Sequence, residues 1–96
     1  MANIRSLKKD IDYLVYEVIS DCFSAMSITQ EEVISDQLAD IVSDAVKLRN
    51  ELFSKIKHRG DKKEPENTRK YYRNLRSELV KGIDRLFERL SKVVRS

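Results

Sequence analysis

Little in this 96-residue chain can punctuate, cross-link or coordinate: it has one cysteine, one histidine, one proline, two glycines and no tryptophan. Each scarcity excludes something. A β-sandwich or barrel needs turn residues every ~8–12 positions, and two glycines with one proline cannot supply them. A single cysteine rules out an internal disulfide and a multi-cysteine zinc site. A single histidine, His58, leaves little imidazole chemistry, and no carboxylate is placed to orient it in a Ser-His-Asp arrangement. Glycine-rich phosphate loops, HExxH and CxxC are all missing. No run approaches the ~18 apolar residues of a membrane span. Charges at Arg5, Lys8, Lys9 and Asp10 leave no apolar stretch for a signal peptide. The expectation is one soluble, cytoplasmic domain without catalytic, cofactor-binding or metal-binding residues.

What is present is long helical periodicity. Ile4, Leu7, Ile11, Leu14, Val15, Val18, Ile19, Cys22 and Met26 follow three- and four-residue steps, predicting a first helix over about 4–26. Asn3 is positioned as its N-cap. Thr29 followed by Glu32 has the spacing of a capping box, so a second helix is expected over about 30–57. Its stripe is Ile34, Leu38, Ile41, Ala45, Leu48, Leu52 and Ile56. Residues 58–66 are polar or helix-breaking and hold the lone proline, Pro65. They are expected to form a flexible loop with Gly60 as a C-cap. A third helix is expected over about 67–94, with Tyr72, Leu75, Leu79, Ile83, Leu86, Leu90 and Val93 along its stripe. Short connections make neighbouring helices antiparallel. The predicted fold is all-α, an up-down-up three-helix bundle, with dimerisation as its possible completion.

Tyr16, Ile19 and Phe23 widen the apolar arc of helix 1 beyond one seam, and Val42, Val46 and Phe53 do the same on helix 2. Tyr13 lies on the side of helix 1 opposite Ile4. A lone bundle needs a narrower stripe, so Tyr13, Tyr16, Phe23, Val42, Val46 and Phe53 are the candidate surface for a homodimer or an unknown protein partner. Arg49 falls inside the apolar arc of helix 2 and Asp12 inside that of helix 1. Antiparallel packing brings them to similar heights, which predicts a buried inter-helix ion pair. Gly82 costs ~1 kcal/mol in a helix interior, so it is expected to make room for a bulky neighbour.

Charge is distributed unevenly. Residues 58–96 hold twelve Lys/Arg against six Asp/Glu, while residues 1–57 hold seven against ten. Arg69, Lys70, Arg73 and Arg76 are candidate phosphate contacts, with Tyr71 and Tyr72 as stacking surfaces for nucleic acid. The alternative is that the basic third helix faces the acidic ridge of Glu32, Asp36, Asp40 and Asp44.

Two partial motifs end before the chemistry starts. Arg49-Asn50 resembles the opening of the Arg-Asn-x4-His motif of HEPN ribonucleases and toxins, but Lys55 stands at the histidine's position. Glu31-Glu32 resembles part of the Glu-Glu-x-x-Glu cluster of all-α nucleotide pyrophosphohydrolases, but Ser35 stands where the third glutamate is required. Neither activity carries over. The stretch from Asn3 to Cys22 resembles small uncharacterised all-helical bacterial proteins. That likeness implies a compact helical fold and brings no known activity. The functional expectation is a non-enzymatic protein–protein interaction module, an adaptor or small regulator; the alternative is nucleic-acid binding through the third helix.

Overall fold

A computed structural model describes residues 4–59 and 65–95, and these fold as three helices: α1 (Ile4–Ile28), α2 (Glu32–Arg59) and α3 (Pro65–Arg95). The chain is all-α, a three-helix bundle in the form of a rod with Cα extents of 52 × 17 × 15 Å. Every helix packs on both others. Two ion pairs fix direction: Asp44 meets Arg89, and further along α2 Lys55 meets Glu78, earlier on α3. The two helices therefore run antiparallel.

The helix ends differ from the periodicity reading for local reasons. α1 continues to Ile28 because nothing after Met26 breaks it. The Thr29 N–H still donates to the Ala25 carbonyl at 3.1 Å, and the Ser27 hydroxyl donates to the Ser24 carbonyl at 2.7 Å. One of the orphan carbonyls of the last turn thus finds a partner. α2 starts later than expected. The Thr29 hydroxyl accepts from the Glu31 N–H at 3.2 Å, a tight local turn, and the first helical bond of the connector runs from Ser35 N–H to the Glu31 carbonyl. The Thr29 side chain thus closes the connector instead of capping the helix through a capping box. α3 starts at Pro65, which the sequence reading had placed in the loop. A proline costs a helix nothing at its first position, where the N–H has no intrahelical acceptor anyway. The expected loop over 58–66 thereby shrinks from both sides. Its flexibility and the role of Gly60 fall on residues 60–64, outside the described residues, as does the Asn3 cap.

The core comes from the predicted stripes. Leu7, Ile11, Val15, Val18 and Cys22 of α1 meet Leu38, Ile41, Ala45, Leu52 and Ile56 of α2. The third wall is Tyr72, Leu75, Leu79, Ile83, Leu86 and Leu90 of α3. Removing the branched end of such a side chain costs about 2–5 kcal/mol, so this seam carries most of the stability. Gly82 of α3 lies under Leu48 of α2: a Cβ there would stand 2.8 Å from Leu48 Cδ2. The glycine makes room for a neighbour within the same chain.

Candidate interaction surface

α1 presents one face to the core and another to solvent, and the second is unusual in composition. At ~100° per residue, Tyr13, Tyr16, Ser20, Phe23, Ser24 and Ser27 fall within an arc of about 100°. From Tyr13 to Ser27 that arc holds no charge, and Arg5 and Lys9 continue it toward the N-terminal end of α1. Tyr13 is 70% exposed, Tyr16 68% and Phe23 56%. Tyr16 and Phe23 rise on either side of Ser20, and with Ile19, Ser24 and Ser27 they line a shallow groove. Tyr13, Tyr16 and Phe23 are three of the six residues proposed as an interaction surface.

The other three come from α2 and divide. Val46 is 41% exposed, whereas Val42 and Phe53 are half-buried and packed against the core. They recur with Arg49 at three- and four-residue spacing, which puts them all on the flank that α2 turns toward α1. The surface is therefore narrower on α2 than expected. Val42 and Phe53 close the bundle wall, and Val46 remains at its rim.

Arg49 Nε stands 2.6 Å from Asp12 Oδ1, with the guanidinium 4.2 Å above the centre of the Phe53 ring. The sequence predicts a buried pair, and the structure corrects this: the two residues do pair, but at the surface. The two side chains retain 38% and 40% of their exposure, and no polar or charged residue is buried among the described residues except the tyrosine discussed below. The reason is desolvation: burying both charges would cost several kcal/mol. The arginine instead lays its stem and guanidinium plane along Phe53 and keeps an edge in water. Asp12 and Arg49 mark the charged limit of the uncharged face.

The seams with α3 look different. Arg76 pairs with Asp10, Arg89 with Asp44 at 2.6 Å, and Lys55 with Glu78 at 2.8 Å. Arg89 draws Asp44 away from the acidic ridge, while Glu32, Asp36 and Asp40 stay exposed. Of the candidate phosphate contacts, Arg69, Lys70 and Arg73 are exposed, but Arg76 is engaged by Asp10. The tyrosines beside them are engaged too. The Tyr71 hydroxyl donates to the Lys55 carbonyl at 3.2 Å, and its ring meets that of Tyr72 edge-on, with centres 5.9 Å apart. Tyr72 is a core residue, and its buried hydroxyl has no hydrogen-bond partner among the described residues. The buried Tyr72 ring is not available to stack on a base, and Tyr71 is half-buried and held by these two contacts.

Cys22 is buried in the core, and that burial pushes its thiol pKa up. Asp21 adds to the rise and Arg89 opposes it. A thiol held protonated and covered is a packing group and not a nucleophile. No cluster of three or more His, Cys, Asp or Glu residues able to hold a metal ion occurs among the described residues. No helix among them is long and apolar enough to cross a membrane.

One sequence signal went unread. Between Lys9 and Lys47 there are nine acidic residues and not one lysine or arginine. The fold turns this into polarity along the rod. With each helix cut at its midpoint, the half containing the α1–α2 connector carries nine acidic and five basic residues, a net −4. The described residues of the other half carry five acidic and twelve basic, a net +7. The asymmetry seen along the chain is an end-to-end one in space. Exposed Ile28 and Val33 flank the connector, and Val80 and Val94 lie exposed on α3; none of these four stood out in the stripes.

In comparisons with known proteins, no family model, no curated protein and no solved structure matches this chain.

Proposed function

We propose that this chain is a protein–protein interaction module, an adaptor or small regulator working in the cytoplasm, that performs no chemistry itself. It docks its partner on the outer face of α1 and the adjoining rim of α2. The observation that supports this reading most strongly is the uncharged arc of Tyr13, Tyr16 and Phe23 around small serines, bordered by Val46. Exposed aromatic side chains give large contact areas at low entropic cost, and they are enriched in the energetic centres of interfaces. A surface whose only task was solubility would carry charges there.

Affinity capture with the full chain as bait tests it. Wild type is expected to recover one defined partner. Phe23→Glu is expected to lose that partner while its circular dichroism and the melting temperature of the dilute monomer stay unchanged, since Phe23 projects from the core. Equal recovery by both proteins would overturn the reading.

Nucleic-acid binding is the second reading, supported by Arg69, Lys70 and Arg73, exposed on the basic half of α3. The engagement of Arg76, Tyr71 and Tyr72 counts against it. Binding to generic DNA or RNA that falls steeply with added salt would favour it.

A further inference from the structure

We propose that the partner seated on the α1 face is a second copy of this chain, packed side by side and antiparallel about a two-fold axis close to Ser20; this rests on reading that face as a docking surface. Three features converge. First, the face is self-complementary under that axis. A two-fold axis at Ser20 sets Tyr16 of one copy level with Ser24 of the other and Tyr13 level with Ser27, while Phe23 comes level with Glu17. The serines leave space for the tyrosine rings. An isologous contact pairs the same patch of both copies, so each match of a tyrosine with a serine occurs twice.

Second, the charges at the two ends of the face match when reversed and clash when aligned. Lys8 and Lys9 lie toward the N-terminal end of α1, and Glu31 and Glu32 lie at the α1–α2 connector beyond its C-terminal end. All four are exposed. No ion pair engages them among the described residues. Antiparallel pairing brings the lysines of each copy to the glutamates of the other, at both ends. The polarity of the whole rod favours the same direction, laying each acidic half beside a basic half.

Third, the size is adequate and modest. The 25 residues of α1 span ~37 Å. A strip of that length, widened to ~15 Å by the α2 rim, gives a total interface near the ~1,000 Å² lower bound for specific association. The expected dimer is therefore reversible, with a micromolar dissociation constant.

Light scattering across about 1–300 μM tests the proposal. The mass should rise from 11.3 kDa toward twice that value. Phe23→Glu should weaken the dimer about 100-fold or more, since the axis makes each substitution count twice. Lys8→Glu with Lys9→Glu should weaken it about tenfold, and so should Glu31→Lys with Glu32→Lys. The protein carrying all four changes should regain wild-type affinity, because its charges match again when reversed. A single-chain mass at every concentration would overturn self-pairing, while the capture experiment would still judge the docking surface separately. Failure of the fourfold variant to recover would overturn the antiparallel register. A dimer indifferent to Phe23→Glu would overturn both the self-pairing and the reading beneath it.

Discussion

The seams that α3 makes with its neighbours and the outer seam between α1 and α2 are built by different means. Along α3, three ion pairs bridge the flanks: Asp10–Arg76, Asp44–Arg89 and Lys55–Glu78. One glycine lets Leu48 sink between the helices. Along α1 and α2, among the described residues, a single pair, Asp12–Arg49, sits at one end. Beyond it the flank is aromatic, aliphatic and serine. Charged flanks finish a seam, since they satisfy themselves and face water. An uncharged aromatic flank leaves apolar surface in water. On the reading proposed above, the difference separates the part of the molecule that is complete within one chain from the part that a partner covers.

The sharpest way to break that comparison is to add bulk to each side. Gly82→Val drives two methyl groups toward Leu48. It should destabilise the protein by about 1–3 kcal/mol in urea unfolding, the cost of overpacking a filled seam. Gly82→Ala should cost far less, since only the mobile ends of Leu48 must move and the helix gains ~1 kcal/mol in propensity. Ser20→Val, on the open face, should change the stability of the dilute monomer by less than about 0.5 kcal/mol. Equal losses at Gly82 and Ser20 would mean the two seams are equally filled.

The next effect lies in the α3 wall and has the opposite sign. Tyr72 contributes a buried hydroxyl with no partner among the described residues. Leaving such a group unpaired costs about 1–3 kcal/mol. Tyr72→Phe should therefore stabilise the protein by about 1 kcal/mol, read as a higher urea midpoint at an unchanged slope. A lower midpoint would show that the hydroxyl has an acceptor.

The helix stripes and the third wall of the core could be read from spacing alone, because burial and period 3.6 impose the same pattern from Leu7 to Leu90. The helix ends could not. Pro65 reads as a breaker until its position at the first turn is known, and Thr29 reads as a cap until its hydroxyl is seen to close the connector. The interaction surface was half legible. The wheel found Tyr13, Tyr16 and Phe23, but it could not tell that Val42 and Phe53 lean inward. That depends on how closely two helices approach, which periodicity does not encode. The wheel placed Arg49 and Asp12 together, yet burial did not follow from being inside an apolar arc, because an arginine is long enough to leave it. The end-to-end polarity was available in the run from Lys9 to Lys47 but acquires meaning only once the hairpin folds it into one end.

That half-exposed arginine gives a smaller test. A buried pair would forfeit several kcal/mol on losing one partner. Arg49→Leu should instead cost less than about 1 kcal/mol, the range of exposed pairs, with part of the loss coming from the contact with Phe53. Arg49→Lys should lose that stacking while keeping the charge, and so recover only part of the difference. A loss of several kcal/mol would return Asp12–Arg49 to the interior and make this seam as self-sufficient as those of α3.

The smallest effect concerns the last of the α3 ion pairs and appears only in alkali. The hydrogen bond to Glu78 raises the Lys55 pKa above the ordinary lysine value, with nearby charges adding to the rise and slight burial opposing it. A pKa raised on folding means that the native state holds the proton more tightly. The resulting stability is fully present below the unfolded-state pKa of about 10.4 and disappears as pH rises through the higher folded-state value. Nearly half of the Lys55 side chain is exposed, so solvent screening should hold the effect to a few tenths of a kcal/mol. Comparing wild type with Lys55→Met isolates it, because the alkaline contribution of Cys22, whose pKa is also raised, cancels in the difference. The gap between the two proteins should be constant from pH 7 to about pH 9.5 and should close above the lysine range. It should also narrow with added salt at neutral pH, as an exposed pair's does. A gap that persists in strong alkali would mean that Lys55 stabilises the α2–α3 seam through its alkyl stem, and that charge is not what finishes this flank.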